Sequence, residues 1–179
     1  MSLGSRIRAA REHDGISLRD LAARAELSPG FISQLERGIT EPSLESLRRI
    51  AAALGRPLFE LFEGHGVTGP AVVARDRRVT ITSPQGGIAY SRLSPGSGRL
   101  EVLEGILEPG GRSSPAPWSH PSEECVTVLS GELQVEVAGQ QIRLAEGDAC
   151  TFDSRLPHRY LNEGTDSVRF LLAITPPSY

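Results

Sequence analysis

The sequence contains no lysine; all 19 of its basic residues are arginine. That bias most simply reflects the base composition of a GC-rich genome, although arginine is also the better bidentate partner for phosphate. Cysteine is scarce as well. Cys125 and Cys150 make no disulfide framework, and no Cys-x-x-Cys zinc pattern occurs. A glycine-rich phosphate cradle and a nucleophile elbow are also missing, which removes the common signatures of nucleotide binding and of serine hydrolases. No apolar run approaches the length of a membrane span. The opening MSLGSRIRAAREHDG is too charged for a secretion signal, so the expectation is a cytoplasmic protein without membrane contact. A net charge of −3 argues against coating nucleic acid non-specifically, but leaves room for a local basic face.

What is present divides into two halves with different periods. From Leu3 to Phe62 the apolar residues recur at helical spacing, as in Leu44, Leu47, Ile50, Ala51 and Leu54. Gly15 ends the first helix, and Ser17 with Asp20 forms a capping box for the second. Ser28 caps the third, with Pro29 at its first position, and Gly38 ends it. Ser43 starts the fourth, and a fifth is predicted from Pro57 through Leu58, Leu61 and Phe62. EGHGVTGPA, residues 63–71, has no periodicity and reads as a linker. Beyond it the period becomes two. Eight strands are predicted at 79–82, 100–107, 124–131, 133–139, 141–144, 149–153, 158–162 and 168–175, separated by turns such as PGG, AGQ and EGD. The expectation is an α+β chain of two domains. A five-helix domain spans 1–62, and an antiparallel sandwich or jelly-roll barrel spans 72–179.

Within the helical half, SLRDLAARAELSPGFISQLERG (17–38) is a helix, a tight turn near Glu26 and Leu27, and a second helix. Ile32 and Leu35 point to the core, which leaves Ser28, Gly30, Ser33, Gln34 and Arg37 toward solvent. Small and hydrogen-bonding side chains on that face suit insertion into a DNA major groove. Gln34 is placed to read adenine, while Arg6, Arg37 and Ser43 are placed to meet phosphates. LRDLAARAELSPGFISQLERG followed by PSLESLRRIAAAL resembles the helix-turn-helix of the phage-repressor-like XRE family across residues 3–62. That resemblance implies an ion pair between Arg11 and Glu36. One departure is Leu18, where the family often carries a phosphate-gripping Gln. The charges of this half nearly balance, so affinity must come from placement, and a two-fold dimer on a palindromic operator is the natural arrangement.

The β half carries GRSSPAPWSHPSEECVTVLSG and GDACTFDSRLPHRYLN, which resemble the two signatures of the cupin family, a double-stranded β-helix barrel. In the first, G-x5-H-x-H-x3-E-x6-G, His120, Glu124 and Gly131 fall in place, and Trp118 stands where the first histidine should be. In the second, Gly147, His158 and Asn162 match, while Asp153 and Arg155 replace a proline and a glycine. If the strand is unbroken, Trp118, His120 and Glu124 share one face, with His158 and Tyr160 on a later strand. His120, Glu124 and His158 would then converge as two imidazoles and a carboxylate, suited to Fe, Zn, Mn or Ni. The alternative is a hydrogen-bonded polar cluster that binds a ligand directly, with Trp118 as a stacking wall. Tyr90 and Arg92 are further candidates for the pocket, although strand residues more often cover a surface. Cys150 approaches the interior, Cys125 has the opposite parity, and Arg48 and Arg49 read as a wet helix face.

A helix-turn-helix followed by a cupin resembles the XRE-cupin regulators, one-component transcription factors whose barrel binds a small-molecule effector. The rival is an enzyme. The His-x3-Glu…His pattern without a first histidine also resembles hydroxypropylphosphonate epoxidase, a mononuclear iron oxidoreductase with a similar helical domain. Against it, few basic side chains are aimed at the pocket to grip a phosphonate, so the regulator is the favoured reading.

Overall fold

The computed structural model describes residues 2–62, 70–83, 86–96 and 98–178. They belong to two compact units, residues 2–62 and residues 70–178. The expected linker at 63–71 lies mostly outside the described residues.

Serine starts every α-helix of the first unit: α1 (Leu3–His13), α2 (Leu18–Arg24), α3 (Pro29–Glu36) and α4 (Leu44–Ala53). The hydroxyls of Ser2, Ser17, Ser28 and Ser43 accept from the backbone N–H groups of Ser5, Asp20, Phe31 and Ser46. Each satisfies an orphan donor of the first turn and stabilises its helix by about 1 kcal/mol relative to alanine. Ile7, Leu21, Ile32, Leu35, Ile50, Leu58 and Phe59 are among the buried apolar residues of the unit. The turn between α2 and α3 is sharp because Glu26 adopts a left-handed φ of 51°. Arg49 of α4 steadies that turn with hydrogen bonds to the Glu26 carbonyl (2.5 Å) and carboxylate (3.1 Å).

Two expectations are corrected here. The fifth helix is a single 3-10 turn, Leu58–Leu61. Four residues after Pro57 are too few to propagate i→i+4 bonds, and Glu60 and Phe62 donate instead to the carbonyls three residues back. Arg48 is buried rather than on a wet face, at 5% exposure, because α4 packs against both α2 and the 3-10 turn.

The second unit is built from nine described strands: β1 (Thr80–Ser83), β2 (Ile88–Arg92), β3 (Glu101–Leu107), β4 (Glu123–Ser130), β5 (Leu133–Val137), β6 (Gln140–Leu144), β7 (Ala149–Asp153), β8 (His158–Leu161) and β9 (Val168–Thr175). All pairs are antiparallel. One sheet runs β1-β2-β3-β9-β4-β7 and the other β6-β5-β8, the two-sheet arrangement of a jelly-roll barrel. β2 lies outside the eight predicted spans. Its inward residues are Ile88, Tyr90 and Arg92, and a charged residue at an inward position breaks the alternation that marks a strand. Tyr90 and Arg92 therefore do not cover a surface; both are buried.

Pairing register stacks the inward side chains in rows across the larger sheet. Phe152, Glu124, Ile174 and Glu101 share one row; Cys150, Val126, Leu172, Leu103 and Arg92 share the next. Tyr90, Gly105, Phe170 and Val128 form the third, the apolar floor. There the ring of Phe170 lies over Gly105, and a Cβ at 105 would meet it at 2.3 Å. Gly105→Ala should therefore destabilise the chain by roughly 1–3 kcal/mol through overpacking, measured as a lowered midpoint in urea unfolding.

Candidate functional site

The barrel brings three donors together that are far apart in sequence. Glu124 sits near the start of β4 and is 0% exposed. His158 opens β8 in the opposite sheet. His120 does not lie on β4 as an unbroken strand would require, because that strand begins only at Glu123. Pro121 has no N–H to give a ladder, and residues 119–122 form a loop instead. Backbone bonds fix that loop: His120 N–H donates to the Ser154 carbonyl (2.9 Å) and Ser154 N–H to the Ser122 carbonyl (2.8 Å). The convergence survives the broken strand. The donor atoms of His120, Glu124 and His158 all lie within 4.8 Å of one another.

Glu124 has two different oxygens. Oε2 accepts from the Tyr160 hydroxyl at 2.5 Å. Oε1 faces His120 Nε2 at 2.6 Å and His158 Nε2 at 3.5 Å. It is nevertheless buried without a donor in hydrogen-bond geometry, as is His158 Nε2. The other nitrogen of His158, Nδ1, lies 2.8 Å from the Leu156 carbonyl, which can only accept. Nδ1 must therefore carry a proton, and in the neutral ring Nε2 presents a lone pair to a carboxylate oxygen. The His158 lone pair and the Glu124 oxygen then face each other at 3.5 Å, an arrangement that a proton or a metal cation between them would balance. Burial alone would raise the Glu124 pKa; the two imidazoles outweigh it and hold the group down to about 2. Two imidazoles and one carboxylate with fixed outer partners could hold a divalent transition metal.

Aromatic rings surround these donors. Trp118 stacks on His120 with centroids 4.5 Å apart, and reciprocal backbone bonds pair Trp118 with His158. Phe152, which the sequence reading missed, lies 5.0 Å from the His158 ring. Its place follows from register, since it pairs with Glu124 across β4 and β7. Tyr160 has its hydroxyl committed to Glu124. Tyr90 and Arg92 belong to deeper rows, and Arg92 lies 3.8 Å from Glu101. Cys150 shares the inward row of Val126, and both cysteines are free thiols.

In the helical unit, Ser28, Gly30, Gln34, Arg37 and Ser43 are exposed and Ser33 is half-buried. They lie on α3, at its ends or at the cap of α4. Arg6 differs from the rest, because one of its amino groups donates to the Phe62 carbonyl. Arg11 and Glu36 form the ion pair implied by the family resemblance, bidentate at 2.7 and 2.9 Å. A third bond, from Arg11 to the Ile16 carbonyl at 3.0 Å, ties α1, α3 and the turn before α2 together.

The chain pairs a helix-turn-helix with a barrel that holds a convergent donor cluster, and its relatives are HTH-type transcriptional regulators. Residues 7–61 match the helix-turn-helix family and residues 103–174 match the cupin domain family. The HTH-type transcriptional regulator PuuR of Escherichia coli (strain K12) is 26% identical over 179 residues, covering 98% of this chain and 96% of that protein. The crystal structure of an HTH_3 family transcriptional regulator from Vibrio cholerae superposes with a TM-score of 0.77 at 23% identity, over 98% of this chain and 95% of that one. Hydroxypropylphosphonic acid epoxidase from S. wedmorenis shares the fold at a TM-score of 0.52 and 22% identity, over 97% and 96% of the two chains. The chain belongs to the XRE-type helix-turn-helix transcriptional regulators with a cupin domain.

Two outcomes follow from this geometry. Arg11 and Glu36 are 11% and 6% exposed, so Arg11→Ala strands a largely buried carboxylate and should cost about 3 kcal/mol, measured by the loss of helical circular dichroism in urea. In metal-free protein, the stabilisation from Glu124 is complete above its ordinary pKa of 4.5 and is lost as pH falls toward about 2. Glu124→Gln should therefore flatten that part of the acid-unfolding curve.

Proposed function

We propose that residues 1–62 read a palindromic operator as part of a homodimer, and that the barrel, residues 72–179, senses a small-molecule effector through a divalent metal held by His120, Glu124 and His158. The observation that carries this is the buried Glu124 Oε1 facing the Nε2 lone pair of His158, an arrangement that calls for a cation. Iron, zinc, manganese and nickel all suit two imidazoles and a carboxylate. The ion would supply Lewis acidity toward a donor atom of the effector. Trp118 and Phe152 provide apolar walls, while Tyr160 and the Leu156 carbonyl orient the ligands. No catalysis is needed: an effector shifts operator affinity by its own preference for one of two arrangements of the dimer.

Ser28, Gly30, Ser33, Gln34, Arg37 and Ser43 form the DNA-facing set, with Gln34 reading bases and the others positioning the backbone. Gly30 supports this reading. A Cβ there would meet nothing closer than the Ser28 hydroxyl at 4.0 Å, so the protein's own packing does not require glycine. The missing side chain leaves room for close approach of a partner. Gly30→Ala should leave the fold as stable or slightly more so, yet weaken operator binding at least tenfold in a gel-shift titration; unchanged DNA affinity would remove Gly30 from the interface.

A second reading, a mononuclear iron oxidoreductase, draws on the same three donors and on Trp118 in place of a fourth ligand. One experiment addresses both. Protein purified without chelator or affinity metal should hold close to one equivalent of metal, His158→Ala should hold none, and chelation should change operator affinity. Oxygen-dependent turnover of a phosphonate by the iron-loaded protein would instead favour the enzyme. Absence of metal from the parent would recast the cluster as a direct polar recognition wall.

A further inference from the structure

We infer that Tyr160 fixes the way Glu124 presents itself to a metal, so that the ion receives one carboxylate oxygen rather than two. The inference rests on the metal reading above and extends it to the number of positions left for exogenous donors. Tyr160 is fully buried on β8, and its hydroxyl donates to Glu124 Oε2 at 2.5 Å, the short range of a charge-assisted bond. Neither partner is free to turn away. Glu124 is pinned by its pairing with Phe152 on one side and Ile174 on the other. Tyr160 is bracketed by Ser113, whose hydroxyl accepts from the Tyr160 N–H at 2.9 Å and whose N–H donates to the Tyr160 carbonyl at 2.9 Å. Its ring rests against Phe170 with centroids 5.4 Å apart.

The carboxylate plane is therefore set from both sheets at once, by β4 and by β8. With Oε2 engaged, Oε1 alone is turned toward the two imidazole nitrogens. A chelating carboxylate would take a further position on the ion, and Tyr160 keeps that position available. The Tyr160 hydroxyl acts on an effector through Glu124, as a positioning group rather than a contact.

The test loads the full chain and Tyr160→Phe with Co(II), whose visible absorption reports coordination number. Tyr160→Phe should bind Co(II) about 10–100-fold more weakly, the usual cost of losing an outer partner. Its visible bands should also lose intensity as the released oxygen joins the ion. A role in packing alone would lower the melting temperature and leave the bands of the loaded protein unchanged. Parent-like bands in Tyr160→Phe overturn the inference while leaving the metal reading intact. A parent that takes up no Co(II) overturns both. If Tyr160→Phe does not fold, Ser113→Ala carries the test: it removes the acceptor of the Tyr160 N–H and loosens β8 there but retains the phenol, so a smaller shift in the same direction supports the assignment and unchanged bands overturn it.

Discussion

An ionised carboxylate removed from water is the constraint around which the barrel is arranged. Glu124 is fully buried, and a lone charge in that position would cost far more than the marginal stability of a domain. Three strands and a loop supply what it lacks. β8 brings both Tyr160 and His158, the 119–122 loop brings His120, and β7 and β9 hold Glu124 in register. The outer contacts follow from the same need: the Leu156 carbonyl sets the His158 proton, and Ser113 holds Tyr160 in place.

The helical unit meets its polar needs in a different way. Its orphan helix donors are met by four serine hydroxyls, and its best-shielded ion pair is bidentate and closed. Almost nothing in its core asks for a further partner. Its outward polar chemistry lies on the exposed face of α3, where Gln34, Arg37 and a bare glycine stand toward solvent. One unit thus carries its open valence outside and the other inside, a division that suits a protein touching a large polymer with one half and a small molecule with the other.

Much of this was legible in the sequence, because helix caps and strand alternation are local signals. Ser17, Ser28 and Ser43 announce their helices, and the spacing of His120, Glu124 and His158 against Gly131 and Asn162 marks the barrel. The rest depends on pairing across the fold. Phe152 becomes a wall residue only because β7 lies against β4 in a register that places it opposite Glu124. Arg48 reads as a surface residue because arginine is rarely buried, and only the neighbours covering it show otherwise. The broken strand before Glu123 was hidden for a similar reason. Parity arguments assume continuity, and the loop at 119–122 is held by Ser154, some thirty positions later in the chain.

Trp118 is the chain's sole tryptophan, and its indole lies against His120 and close to His158. Light absorbed at the red edge of the protein's ultraviolet band is therefore taken up almost entirely within the donor cluster. A paramagnetic ion or an aromatic guest placed there would quench or shift that emission with no background from the helical unit. The tryptophan that stands where the cupin signature has a histidine is thus a built-in optical probe.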